Sequence, residues 1–506
     1  MPTMFEESES DPRLTDADRK QLEATLRVQL LLEQYRHLSV KDESLVIFVS
    51  GIDGAGKTET INLLNEWMDP RHIHTVAFPD PSADELLFPR VRRLWMSLPP
   101  KGSIGIIYGA GYVQLIEQAL KKKPDHDKLA SDILYLKRLE ANLAANGVRL
   151  LKLWFHLSQG AQRTRTKTLL ANPSTAWQVA KADKKVYKNF DKLRDAGARM
   201  IEATDTPYAP WIVIPSADPN LRAVRTAQAV LQALKRPSAK VPPLHDPGAP
   251  ILAKTHKTAL DQINYALTLE KDVYEVELLG LQNRLAQLVR SEKFKHRSLA
   301  LVFEGNDAAG KGGTIRRVTR AIDARQYSVM AVIAPTKEEQ QRPYLWRFWQ
   351  NIPRHGRVAI FDRSWYGRVL VERVEKLIKK SAWTRAYGEI NDFEQHLIDH
   401  GTIVLKFWLA VSSDEQLRRF REREQSPFKQ FKMTDEDWRN RSKSKAYAVA
   451  TRDMFDHTDT LVAPWHVLSA NDKKYARIEV LKIIVHALES ALNSTNNSTN
   501  NSSHNS

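Results

Sequence analysis

The chain has 506 residues, 42% of them hydrophobic, and carries a formal net charge of +16. This length allows two or three domains with proper cores. The absence of cysteine excludes disulfides, thiolate metal sites and cysteine nucleophiles. The apolar runs are too short to span a membrane, and the acidic N-terminus has no signal-peptide core. We therefore expect a cytoplasmic protein. The positive charge predicts either an anionic partner or a solvated basic surface.

The first phosphate-binding motif follows an amphipathic helix, which leucines at helical spacing predict over about residues 22–38. The apolar run 44–50 predicts a buried strand, and it leads into the sequence Gly-Ile-Asp-Gly-Ala-Gly-Lys-Thr, residues 51–58. Glycines at this spacing before lysine and threonine are typical of a phosphate loop between a strand and a helix.

A second loop of the same kind follows residues 299–303, which predict a buried parallel strand. Backbone amides in such a loop close around phosphate oxygens, the next helix directs its positive end at them, and Lys311 adds a mobile charge. Gly312 replaces the usual Mg²⁺-binding Ser or Thr, so Asp307 is predicted to take over part of the metal coordination. The alternative is a glycine-rich turn without a ligand. The other residues predicted to bind phosphate here are Gly305, Asn306, Ala308, Ala309, Gly310, Gly312 and Gly313.

The two loops belong to an internal repeat. Lys311 minus Lys57 gives an offset of 254, and the same offset joins other pairs as far as Trp211 and Trp465. One constant offset over this length indicates a tandem duplication of one domain. The predicted fold class is α/β, with two P-loop α/β/α sandwiches, each a mostly parallel sheet with helices on both faces. The predicted segments are two domains, residues 1–245 and 257–492, a proline-rich linker, 246–256, and a disordered tail, 493–506.

The two copies differ where catalysis would occur. Residues 357–362 predict a second buried strand that ends in Asp362, and Arg363 follows at the carboxyl end of the sheet. Ligands of such sheets bind at this end, and in P-loop folds a neighbouring strand delivers a carboxylate to the metal. The first copy has Tyr108 and Gly109 at these places. It is therefore predicted to bind phosphate but to do little or no chemistry.

A basic helix is predicted over part of residues 415–432 in the second copy. Arg419 and Arg423, four positions apart, share one face of this helix. A mobile basic helix near a phosphate loop can close over phosphates as a lid. The alternative is a solvated helix whose arginines pair with its own glutamates. Four tryptophans are predicted to form core or channel walls rather than to stack a base. They are Trp346, Trp349, Trp365 and Trp465.

Together these motifs resemble those of the type-2 polyphosphate kinases. The matching features are the second loop, the run Phe-Asp-Arg-Ser-Trp-Tyr-Gly-Arg at 361–368, the arginine lid and Ala-Pro-Trp at 463–465. The fused layout is similar to that of the polyphosphate:AMP phosphotransferase subgroup. The resemblance implies a P-loop sandwich with a helical lid, in which inorganic polyphosphate donates to a nucleoside phosphate with Mg²⁺, Mn²⁺ being an alternative.

The expected reaction is transfer of the terminal phosphoryl group of polyphosphate to AMP, giving ADP. The alternatives left open are an ATP-dependent nucleoside monophosphate kinase, a polyphosphate kinase that uses ADP or GDP, and a nucleic-acid-binding P-loop ATPase. Polyphosphate is a dense polyanion, so it accounts for the positive charge without a nucleic-acid or membrane partner. A homo-oligomer is left open. The resemblance implies catalytic roles for Asp307, Lys311, Asp362 and Arg363, metal binding by Asp307 and Asp362, and further phosphate contacts for Arg368, Arg419 and Arg423.

Overall fold

The chain forms two compact units in the computed structural model. The described residues are 4–109, 111–179, 190–237, 241, 259–425 and 435–493. The first unit comprises Met1–Pro81, Arg93–Leu244 and Pro335–Trp346, and the second comprises Ser82–Arg92, His245–Ala334 and Arg347–Ser506. The predicted linker, most of the predicted tail and the distal part of the predicted lid, residues 426–432, lie outside the described residues, and the domain boundaries stay a prediction. No helix among the described residues is both long and apolar enough to cross a membrane.

Each unit contains a five-stranded sheet in which all strands are parallel. The spatial order is β2-β3-β1-β4-β5 in the first sheet and β7-β8-β6-β9-β10 in the second, which is the same order. The predicted duplication of a parallel α/β unit is therefore confirmed. The strands are β1 Ser44–Gly51, β2 Ile73–Ala77, β3 Ile104–Tyr108, β4 Val148–His156, β5 Trp211–Pro215, β6 Ser298–Gly305, β7 Tyr327–Ala331, β8 Val358–Asp362, β9 Thr402–Ala410 and β10 Trp465–Ser469.

Helices connect successive strands, because parallel strands need a crossover rather than a tight turn. The predicted helix near the start of the chain is present and is longer than predicted. The helices of the first half are α1 Glu6–Glu9, α2 Asp16–Val40, α3 Lys57–Trp67, α4 Val91–Met96, α5 Tyr112–Ala119, α6 His126–Ala145, α7 Gln159–Ala171, α8 Phe190–Thr204 and α9 Pro219–Lys235. Those of the second half are α10 Lys271–Arg290, α11 Lys311–Thr319, α12 Lys337–Gln340, α13 Trp346–Asn351, α14 Val371–Val374, α15 Lys380–Asp399, α16 Ser413–Glu424, α17 Asp435–Ser442, α18 Ser444–Thr458 and α19 Lys473–Asn493.

The central strands β1 and β6 are buried along their whole length except for the last glycine. Both are continuous apolar runs rather than alternating ones, because helices cover both faces of each sheet. On one face of the second sheet, Leu301 and Phe407 pack in a cluster with Leu285 of α10 and Ile484 of α19. The four tryptophans predicted to be structural are also buried.

A buried ion pair occurs at the same place in both units. In the second unit, the Nζ atom of Lys406 lies 2.9 Å from a carboxylate oxygen of Glu394 and donates to the carbonyl of Thr458. In the first unit, 254 positions earlier, Lys152 pairs in the same way with Glu140 at 2.8 Å. The pair is retained although the first unit lacks the predicted catalytic residues, which indicates that it serves the fold.

The strand order positions the predicted site. β6 lies between β8 and β9, with Phe303 beside Asp362 and Gly305 beside Leu409. The loop after β6 and the residues after β8 therefore meet at the carboxyl end of the sheet, at the point where the strand order reverses beside β6.

Candidate active site

The second phosphate loop runs closely against β9. Gly305 has a φ of +133°, and a Cβ atom at this position would lie 2.1 Å from the carbonyl oxygen of Leu409, so no other residue fits there. The loop ends at Gly310, and α11 begins at Lys311 without a side-chain cap. The first amides of α11 therefore have no protein side chain as acceptor and are available to a ligand.

Lys311 folds back over its own loop. Its Nζ atom donates to the carbonyl oxygens of Gly305 at 2.8 Å and of Asn306 at 3.2 Å. Both partners are neutral carbonyls, which an anionic phosphate oxygen can replace at little cost because its bond to an ammonium group is charge-assisted.

Asp307 and Arg363 meet, as the strand order requires. A guanidinium nitrogen of Arg363 lies 3.1 Å from Oδ1 of Asp307, and the amide of Asn440 donates to Oδ2 of the same carboxylate at 2.9 Å. The site thus combines the loop, the turn after β8 and helix α17, which lies 133 residues from Asp307 in sequence.

The backbone of Arg363 is in the left-handed region, with a φ of +62°. Its counterpart in the first unit, Gly109, has nearly the same value, +69°. A residue with a side chain costs about 1–2 kcal/mol in this region, whereas glycine does not. The second unit therefore keeps an arginine where the fold favours glycine, as is typical of functional positions.

Two carboxylates were predicted to bind a metal, and a third lies next to them. Asp362 ends β8, and within the described part of the chain its carboxylate has no hydrogen bond or ion pair. Glu304 is 5% exposed and accepts a hydrogen bond from Ser364 at 2.8 Å. Burial raises the pKa of Glu304, and the hydrogen bond from Ser364 and the charge of Lys311 oppose this rise.

Glu304 and Ser364 were missed by sequence reasoning. Their hydrogen bond ties the turn that carries Arg363 to the end of β6. The sequence signal that could have found them is Glu304 itself, a charged residue at the end of an apolar strand. A carboxylate buried there needs a hydrogen-bond partner.

The predicted basic helix is present as α16, but its role as a lid stays a prediction, and its arginines have different surroundings. Arg419 is 3% exposed, and its guanidinium donates to the carbonyl oxygens of Ala308, Ala470 and Asn471. In this arrangement Arg419 supports the loop from behind. Arg423 lies one turn further along α16 and is half-buried. Phosphate binding by these two arginines stays a prediction.

Arg368 is paired with a carboxylate of its own segment. Its guanidinium forms an ion pair with Glu372 at 2.7 Å, one helical turn later. Its predicted phosphate contact stays a prediction.

A cavity of about 290 Å³ adjoins the loop. Glu304, Asp307 and Arg363 form its polar end. Its apolar walls come from the strands and α14, and helices α17 and α18 close one side. The apolar or aromatic lining residues include Leu260, Tyr265, Leu370, Val371, Trp408, Val411, Tyr447 and Ala448.

Different side chains surround the loop of the first unit. The guanidinium of Arg222 lies where a Cβ atom of Gly56 would be, at 2.4 Å, and donates to Glu59 at 3.0 Å. Tyr108 stands where the second unit has Asp362; burial raises the pKa of Tyr108 to about 12, and the nearby hydroxyl of Thr58 opposes this rise. The threonine that completes the motif of this loop therefore lies near a tyrosine, which replaces the acid.

Comparisons with known proteins show the family of the chain. The family model described as polyphosphate kinase 2 matches the chain twice, over residues 13–242 and 268–496. The chain is 43% identical over 490 residues to the polyphosphate:AMP phosphotransferase of Pseudomonas aeruginosa, covering 96% of this chain and 99% of the relative. It is 38% identical over 477 residues to the enzyme of the same name from Acinetobacter johnsonii, covering 92% and 96%.

A solved structure has the same fold over nearly the whole length. It is a crystal structure described as a polyphosphate kinase 2 from Pseudomonas aeruginosa, with a TM-score of 0.86 and 41% identity, covering 97% of this chain and 100% of that one. The double match of the family model corresponds to the two parallel sheets. The chain belongs to the polyphosphate kinase 2 family, with the family's domain present twice.

Proposed function

We propose that this protein transfers the terminal phosphoryl group of inorganic polyphosphate to AMP, giving ADP and a polyphosphate chain shorter by one unit. The observation that carries this proposal is the similarity to polyphosphate:AMP phosphotransferases along almost the entire chain, both units included. The site in the second unit supports it, because a phosphate loop, a pair of aspartates and an arginine converge at one edge of the sheet.

The donor would occupy the loop of the second unit. The free amides at the start of α11 and the ammonium group of Lys311 would hold the terminal phosphates. Arg363 would leave Asp307 and bind the oxygens of the phosphoryl group that is transferred. The transition state of this reaction is loose, so positioning and charge neutralisation provide most of the rate enhancement.

Asp307 and Asp362 fit a hard divalent cation, because both supply carboxylate oxygens at the carboxyl end of adjacent strands. They would hold Mg²⁺, which neutralises phosphate charge when it is bound. Glu304 would keep the turn of Arg363 in place through Ser364.

AMP would bind in the adjoining cavity, with its phosphate at the polar end beside Arg363 and its base between the apolar walls. An oxygen of the AMP phosphate would attack the terminal phosphorus of the donor. The bond from that phosphorus to the bridging oxygen would break, and the shortened polyphosphate would leave with the electron pair. A cytoplasmic location and the state of assembly stay predictions.

The test is an assay of AMP with long-chain polyphosphate and Mg²⁺ in the absence of ATP, with the products identified by chromatography. We expect ADP to form, and kcat/KM to be higher for AMP than for ADP as acceptor. If ADP forms only when ATP replaces polyphosphate, the protein is a nucleoside monophosphate kinase. If ATP is hydrolysed faster in the presence of DNA or RNA, it is a nucleic-acid-dependent ATPase.

Tyr265 offers a test of the acceptor cavity. It precedes α10, lines the cavity, and its pKa is raised by burial. Its segment is tied to α18 by an ion pair of 2.9 Å between Asp261 and Arg452. Removing an aromatic ring that stacks on a base costs about 1–3 kcal/mol. Tyr265→Ala should therefore raise the KM for AMP by about 5- to 150-fold and leave the KM for polyphosphate unchanged.

The matched control is Tyr265→Phe, which keeps the ring and should leave the KM for AMP within about twofold, because ring stacking does not need the hydroxyl. An unchanged KM for AMP in Tyr265→Ala would show that the base binds elsewhere.

A further inference from the structure

Two basic side chains of the last helix lie over the start of α11. A Cβ atom built at Gly310 would lie 3.9 Å from Cγ of Lys473, and one built at Gly313 would lie 3.2 Å from a guanidinium nitrogen of Arg477. Lys473 and Arg477 are four positions apart on α19, so they share one face of this helix. A Cβ atom at Gly312 would meet no atom within 4 Å, so the strip beside the two cations is open.

In the first unit, an arginine of the last helix is neutralised beside the loop helix. This residue, Arg222, is one position out of register with Arg477, since the offset of 254 relates Arg222 to Ala476 and Arg477 to Ala223. The residue 254 positions before Gly313 is Glu59, whose carboxylate accepts from Arg222 at 3.0 Å and from Arg165 at 2.7 Å. Arg222 is buried and also donates to Thr60 of α3. The last helix of the first unit thus presents an arginine to the loop helix, but a carboxylate already occupies it.

The second unit has no such carboxylate. Gly313 replaces the glutamate, and no ion pair or hydrogen bond of the Arg477 side chain is found among the described residues. Arg477 is half-buried between α19 and α11, so its position is constrained by packing. Its charge is therefore held beside the first amides of α11 and is not balanced by the protein.

We propose that Lys473 and Arg477 form an outer subsite for the donor, which binds the phosphates of the polyphosphate chain that follow the transferring end. This proposal rests on the proposed function. A guanidinium group matches two phosphate oxygens at once, and an ammonium group binds as a point charge. With no side chains at Gly312 and Gly313, the polyanion can pass close to the backbone between loop and helix.

The experiment compares Arg477→Ala, Arg477→Lys and wild type by steady-state kinetics and by titration calorimetry of long-chain polyphosphate without AMP. Arg477→Ala should weaken polyphosphate binding and raise its KM by about tenfold, as expected for the loss of a charge-assisted contact. The KM for AMP should stay unchanged. The slope of log KM for polyphosphate against log salt should become smaller by about one, because one phosphate contact is lost. Arg477→Lys should retain most of the affinity.

A second variant places a glutamate at position 313, as the first unit has at position 59. Gly313→Glu should lower polyphosphate affinity more than Arg477→Ala, because the new carboxylate neutralises the arginine and also repels the phosphates. The matched control is Lys482→Ala, which removes one charge from the same helix at a residue paired with Glu277. This variant should bind polyphosphate like wild type.

The outcomes separate this proposal from the proposed function. If wild type converts AMP but Arg477→Ala keeps both its affinity and its salt slope, the outer subsite is refuted and the function stands. If wild type shows no turnover yet binds polyphosphate in an Arg477-dependent way, the subsite stands and the reaction is wrong. A higher KM for AMP alone would assign Arg477 to the acceptor and overturn the proposal.

Discussion

Lys311→Ala and Asp362→Ala are each expected to lower kcat by about 10³-fold or more, the scale at which phosphoryl-transfer enzymes lose a main stabilising charge. Lys311 lies at the start of α11 and holds the loop carbonyls. Asp362 ends the neighbouring strand, and its carboxylate is unpaired among the described residues. Steady-state kinetics with AMP and polyphosphate measures the loss, and circular dichroism establishes that each variant is folded.

The duplication supplies the matched control. Lys57, the counterpart of Lys311, binds the carbonyl oxygens of its own loop in the same way. In the first unit Tyr108 replaces the carboxylate of Asp362, and Arg222 packs against Gly56 of the loop. Lys57→Ala should therefore leave kcat within about tenfold, with any loss mainly in KM, as expected for uniform binding. If Lys57→Ala abolishes turnover and Lys311→Ala does not, the active site lies in the first unit.

Lys406→Met is expected to destabilise the second unit by about 3–5 kcal/mol, because it leaves Glu394 as an uncompensated buried charge. Lys406 is completely buried, and Glu394 is 2% exposed. Burial lowers the pKa of Lys406, and the ion pair with Glu394 opposes this shift. Tyr366 and Trp365 also donate to Glu394. The variant therefore leaves this buried carboxylate with two of its three donors and without a positive charge beside it.

Urea unfolding followed by circular dichroism and fluorescence measures this effect. Two units are present, so each transition is fitted separately. Lys152→Met, the same change in the first unit, should destabilise that unit by a similar amount. Lys482→Ala, which breaks an exposed pair, should cost no more than about 1 kcal/mol. A loss below about 1 kcal/mol for Lys406→Met would contradict a structural role for the buried pair.

The duplication, the parallel sheets and the edge that holds the site could all be predicted from the sequence. Each depends on local information. A buried parallel strand is a continuous apolar run, a phosphate loop is a fixed spacing of glycines before lysine, and Asp362 ends its own strand. The carboxyl ends of neighbouring parallel strands lie at the same edge of the sheet. The proximity of Asp307 and Arg363 could therefore be expected without knowledge of any side-chain contact.

Only the tertiary structure decided what each side chain does there. Partners distant in sequence set the roles of these groups, and no periodicity encodes them. Arg419, predicted to lie on a lid, donates to the loop carbonyl of Ala308, 111 residues away. Thr58 completes the motif of the first loop in sequence, yet it lies near Tyr108, which replaces the acid. Two arginines near the starts of the last helices therefore differ in charge balance. Arg222 is neutralised by the carboxylate of Glu59, whereas Arg477 lies beside the open start of α11 and its charge is not balanced by a described residue.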